Sequence, residues 1–211
     1  MARNKNEDVV KHEAKNPFVK LATKNFFECI NRSMSDMDFE SVFEAGCGNG
    51  YVTEFMKRQH PNAAISAMDI NEEKLSFAKA RVKNVKFSTG TIYDIPHKDN
   101  SFDLVVSTQV LEHLDNPLDA LKELARISKR YIIFSVPNEP LYRLSNVARF
   151  KHIFAFGNTP GHIQHWNKEK IRALANEVCD VRAVQTPFPY TILFCEKRRN
   201  SCETIRNAHV S

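Results

Sequence analysis

Several features are scarce in this chain, and each absence narrows what it can be. No stretch of its 211 residues approaches the roughly 18 uninterrupted apolar residues of a helical membrane span, so a soluble chain is expected. The first residues, MARNKNEDVVKHEAKNP, lack the apolar core of a secretory leader and carry acidic side chains, which argues against export. Cysteines number five (Cys29, Cys47, Cys179, Cys195 and Cys202), an odd and scattered set without a C-x-x-C pair. Reduced thiols in the cytoplasm suit that pattern better than a disulfide framework. A formal charge of +5 is partly concentrated in Lys197, Arg198, Arg199 and Arg206. It is too slight for a dedicated nucleic-acid binder. Glycine is scarce too: there are six in total, and three of them fall within residues 46–50.

What is present is an alternation of strand-like and helix-like segments in one domain-sized length. Strand patterns occupy residues 40–45, 64–69, 85–89, 102–107 and 131–136, with helical patterns at 50–59, 72–83 and 117–128 between them. A further helix is expected at 17–31, on the N-terminal side of the first strand. Strands separated by helices imply a parallel sheet covered on both faces. The order then changes: after a helix near 167–177, DVRAVQT and YTILFCE stand a hairpin's distance apart, predicting an antiparallel pair. Residues 138–166 form a long aromatic insertion after a strand, where a lid or binding loop is expected.

The glycines belong to the turn that follows the first strand, EAGCGNG at 44–50. A glycine-rich strand-to-helix turn allows backbone angles closed to other residues and lets a ligand approach the main chain. Dinucleotide sites space these glycines G-x-G-x-x-G to seat a pyrophosphate. Here the spacing is G-x-G-x-G, and Glu44 precedes it. A carboxylate there repels phosphate and attracts a cationic amino-acid end. Asp69 ends the second strand 19 residues beyond Gly50, near the ~20-residue spacing at which an acidic side chain reaches ribose hydroxyls. The alternative role for Asp69 is to cap the next helix.

These segments resemble the class I S-adenosylmethionine-dependent methyltransferases, including the methyltransferase type 11 group and the ubiquinone-biosynthesis O-methyltransferases. EAGCGNG (44–50) is similar to the first family motif, MDIN (68–71) to the second, GTIYDIP (90–96) to the adenine-contacting segment, and FDLVVSTQVLEHL (102–114) to the segment beside the reactive centre. The resemblance implies an α/β, Rossmann-like three-layer sandwich with a seven-stranded, mostly parallel sheet ending in an antiparallel C-terminal hairpin. The expected organisation is a single domain over 1–200, with an N-terminal helical segment at 1–35, a lid at about 138–166 and a polar tail at 201–211. By the same resemblance, Glu44 and the main chain of Gly46, Cys47, Gly48 and Gly50 hold the methionine portion of S-adenosylmethionine. Asp69 takes the ribose, Ile70 lies against the adenine, Thr91 and Ile92 bound its far side, and Gln109 lies near the sulfonium. The family often has Asp where this chain has Thr91; the Thr91 hydroxyl or Asp94 would have to replace it.

Methyl transfer from a sulfonium is an in-line displacement, so positioning and exclusion of water are the main requirements. A hydroxyl acceptor also needs a base, for which His113, His162 and His165 are the candidates. His113 follows Glu112 and has a scaffold role as its alternative, while His162 and His165 lie on the expected lid beside Trp166. Small-RNA and ubiquinone methyltransferases of this family can hold a divalent ion through E-x-x-E-H and a later histidine. This chain has Gln109, a neutral amide, in place of the first carboxylate. That argues against a metal. The expected activity is methylation of oxygen or nitrogen on a small-molecule acceptor, with RNA 2′-O-methylation and a non-catalytic cofactor-binding regulator as alternatives. Arg143, Arg149 and Lys151 among apolar residues of the insertion leave contact with an anionic membrane surface open. The oligomeric state has no signature.

Overall fold

A computed structural model describes residues 17–139 and 163–198. The expected lid, apart from its two ends, lies outside the described residues, as do His162, Arg143, Arg149, Lys151 and the tail at 201–211. The elements run α1 (Pro17–Ser35), β1 (Ser41–Ala45), α2 (Tyr51–Gln59), β2 (Ala64–Asp69), α3 (Glu72–Arg81), β3 (Lys86–Thr89) and β4 (Phe102–Thr108). A 3-10 turn (Leu111–His113), α4 (Pro117–Ile127), β5 (Ser128–Pro137), α5 (Lys168–Val178), β6 (Cys179–Gln185) and β7 (Tyr190–Lys197) follow among the described residues. The seven strands form one sheet in the order β3-β2-β1-β4-β5-β7-β6. Strands β1 to β5 are parallel, and β7 runs antiparallel to both β5 and β6. This is the expected Rossmann-like sandwich with a closing hairpin.

Strand alternation separates two cores. Phe43, Val105 and Ile132 share one face in register and pack with Leu121, Leu124 and Ile171 of α4 and α5. Val42, Leu104 and Ile133 turn the other way, toward Phe26, Ile30 and Met34 of α1 and Met56 of α2. Helix α1 extends four residues beyond the expected end because Met34 is buried against the sheet, and burial of an amphipathic face carries a helix further than local signals do. Helix α3 stops two residues early: Val82 is extended, and Asn84 takes a left-handed φ of 58°. No helix among the described residues is long and apolar enough to cross a membrane. Strand order reverses between β1 and β4, and in open parallel sheets the crevice beyond the carboxyl ends at such a point is where ligands bind.

Candidate functional site

The glycine turn is folded onto the end of β2. The amides of Gly46 and Cys47 both donate to the Met68 carbonyl, at 2.7 and 3.0 Å. Gly48 and Gly50 have φ of 51° and 79°, in the left-handed region that disfavours side chains. Their surroundings differ. A Cβ at Gly50 would lie 2.9 Å from the Cβ and 3.0 Å from the Cα of Ala78, so Gly50 lets α2 start against α3. A Cβ at Gly48 would meet nothing within 4 Å. The turn presents bare main chain to open space there.

Asp69 spans two neighbouring segments. Its Oδ2 accepts the Gly48 amide at 2.7 Å and its Oδ1 the Asn71 amide at 2.9 Å. The cap of α3 is Asn71, whose side chain accepts from the Lys74 amide at 3.0 Å. Asp69 is therefore free of the capping role, and a carboxylate's four lone-pair sites leave room for two further donors such as a vicinal diol. Beside it, Ile70 is 74% exposed at a strand end.

Glu44 is buried in β1 at 1% exposure, and its Oε2 accepts from the Thr53 hydroxyl. Burial raises its carboxyl to about 7, against the lowering effect of the Thr53 bond, with Asp69 adding to the rise. Burial, then the charges of Glu44 and Asp69, lift the Cys47 thiol far above its ordinary value. It stays a thiol and is a poor nucleophile.

These groups open on one cavity of about 820 Å³. Of the residues singled out in the sequence, Glu44, Gly46, Cys47, Gly48, Asp69, Ile70, Thr91, Ile92, Gln109 and His113 all line it. Gly50, Asp94 and His165 do not. Gly50 has the packing position described above. Asp94 is exposed and bridges to Thr91, whose hydroxyl accepts the Tyr93 amide at 3.3 Å. His165 stands beside Glu139, with Nδ1 4.0 Å from Oε1. The cavity also draws on Phe26 and Phe27 of α1, Tyr51 of α2, and Tyr190 of β7. No sequence motif marks those positions; they arrive through the packing of α1 and the return of the last hairpin.

The 3-10 turn sets the other wall. The Glu112 carbonyl accepts the amides of Ile163 and Gln164, at 3.0 and 3.1 Å, and Gln164 Nε2 donates to the Leu114 carbonyl at 3.2 Å. The far end of the insertion is thereby tied to the turn carrying His113. Among the described residues, no group of three or more His, Cys, Asp or Glu could hold a metal ion.

Residues 43–134 match the family model described as a methyltransferase domain. The chain is 33% identical over 101 residues to an uncharacterized methyltransferase of Schizosaccharomyces pombe, covering 43% of this chain and 36% of that protein. It is 27% identical over 136 residues to a demethylmenaquinone methyltransferase of Lactococcus lactis, covering 59% of this chain and 54% of that one. The chain thus spans about a third to a half of the length of these curated relatives. Its fold matches the crystal structure of magnesium protoporphyrin IX methyltransferase from Synechocystis with bound SAH, at a TM-score of 0.66 and 17% identity over 87% of this chain and 88% of that one. Residues 43–134 are thus similar to a methyltransferase domain, and the whole sheet has the fold of the methyltransferase structure it matches.

Proposed function

We propose that this chain transfers a methyl group from S-adenosylmethionine to an oxygen or nitrogen of a small, largely apolar acceptor. The observation that carries the reading is the open space above Gly48, in a cavity that the Asp69 carboxylate and Glu44 also line. This cradle fits the cofactor. Glu44 in its ionised form suits the ammonium of the methionine end, Asp69 suits the ribose diol, and exposed Ile70 offers an apolar surface to the adenine, with Thr91 and Ile92 opposite. A phosphate-bearing ligand would meet two acidic groups and no compensating pair of cations.

When bound, the cofactor supplies an electrophilic methyl carbon whose bond to sulfur breaks as the bond to the acceptor forms. The chain's own contribution is to enclose and orient. Phe26, Phe27 and Tyr190 close the acceptor side with aromatic surface and limit water. His113, on the cavity wall, receives the proton that a hydroxyl acceptor releases once its oxygen has bonded the methyl carbon. His162 and His165 on the insertion are proposed to line the approach rather than the reacting centre. Incubating the chain with methyl-labelled S-adenosylmethionine and an extract of host metabolites, followed by mass spectrometry, tests the reading. Label in a small apolar product supports it; label only in RNA, or in nothing, overturns it.

A further inference from the structure

Gln109 combines three features found together nowhere else in the described chain. It follows β4 directly with φ of 55°, a left-handed backbone on a residue that has a side chain. Such strain costs roughly 1–2 kcal/mol and persists where the surroundings impose it, often at functional sites. It is bonded twice to one residue: its backbone amide donates to the Ser135 carbonyl and its Nε2 to the Ser135 hydroxyl, both at 3.0 Å. Ser135 is fully buried in β5, so the anchor itself is fixed. Finally, Gln109 lines the cavity, and with Nε2 engaged no described group donates to its carbonyl Oε1.

From this we infer that the Gln109 carbonyl is the hydrogen-bond acceptor for the nucleophile's own O–H or N–H, and that Ser135 is the positioning residue that aims it. The inference rests on the proposed methyltransferase reading and narrows its acceptor. A neutral amide carbonyl holds a protic hydrogen without removing it and so directs a lone pair of the same atom away from itself. It gives no purchase to an anion. The acceptor is therefore a neutral hydroxyl or amino compound at the moment of binding, not a carboxylate or phenolate. Lys74, on α3, is the only Lys or Arg among the described residues lining the cavity.

The test uses the full chain loaded with S-adenosylhomocysteine and four single-ring probes: phenol, aniline, anisole and benzoate. Nitrogen-15 NMR follows the Gln109 side-chain amide, assigned by its loss in Gln109→Leu. Phenol and aniline should shift that signal and bind about fivefold to tenfold more tightly than anisole, the span of one net hydrogen bond. Benzoate should bind more weakly than phenol. Ser135→Ala should bring phenol to within about twofold of anisole with S-adenosylhomocysteine affinity unchanged, and Ser135→Thr, which keeps the hydroxyl, should restore the preference. Equal binding of phenol and anisole to the unaltered chain, no phenol binding, or an unchanged preference in Ser135→Ala overturns this inference alone. Failure of S-adenosylhomocysteine to bind overturns the reading beneath it.

Discussion

Glu112 should make this protein less stable as pH rises, in a window that one isosteric substitution removes. The residue sits in the 3-10 turn at 1% exposure, with no hydrogen-bond partner for its Oε2. Burial raises its carboxyl to about 8, only partly offset by its own backbone amide. An acid whose folded value lies above its unfolded value binds more protons when folded. Its contribution therefore turns unfavourable as pH climbs through the unfolded value near 4.5, and stops growing above the folded value of about 8. At about 1.4 kcal/mol per pH unit, the loss is about 3 kcal/mol at pH 7 and about 5 kcal/mol at pH 8 and above. Glu112→Gln keeps the shape and abolishes the titration. Its new amide hydrogens carry a cost of their own, but one that does not change with pH. Urea unfolding of both proteins at about pH 5 and about pH 8.5 isolates the effect, because Glu44 and the other carboxyls titrate in both. The variant should gain about 4 kcal/mol on the unaltered chain between those conditions. A difference that stays constant with pH would refute the reasoning.

Other consequences follow from the same physics. Asp69→Ala removes two charge-assisted acceptors from the loop and the proposed ribose contacts. Calorimetry should record S-adenosylhomocysteine affinity falling by about a hundredfold or more. Glu44 should make cofactor affinity fall as pH drops below about 7, because the protonated carboxyl no longer attracts the ammonium; dissociation constants at three pH values would show it. Gly50→Ala forces a side chain into a left-handed position and against Ala78, so thermal unfolding should report a loss of at least ~1 kcal/mol, with cofactor affinity little changed in the folded fraction. For Asp103, bonds from Lys129, the Ser41 hydroxyl and the amides of Glu40 and Ser41 outweigh partial burial and hold its carboxyl at about 2. Its stabilisation is present above the ordinary value near 3.8 and is lost as pH falls toward 2, so the deficit of Asp103→Asn at neutral pH should vanish in acid.

The part of the cavity around the glycine turn was legible in the sequence because it is local. A glycine turn, the acidic residue before it and an acidic residue one strand later keep their spacing whatever the rest of the chain does, and all three stand where the spacing placed them. The seven-stranded order was reached through family likeness, since periodicity gives strands and helices without their lateral order. Gly50 shows where pattern misleads: three glycines in one motif suggest one purpose, yet Gly50 serves helix packing against Ala78. The rest of the cavity was not legible. Phe26, Phe27 and Tyr190 come from the two ends of the described chain, and only tertiary packing brings them to Gln109 and His113. The double anchor of Gln109 on Ser135 depends on the β4–β5 register, which pairs Thr108 with Ser135 and has no signature in either strand alone.

Calorimetric titration of the full chain with S-adenosylhomocysteine, run beside NADH, bears most directly on the central claim that the turn above Gly48 is shaped for an adenosyl amino acid and not a pyrophosphate. One-site binding of S-adenosylhomocysteine with no heat from NADH is the predicted result. Binding of NADH with none of S-adenosylhomocysteine would contradict the account.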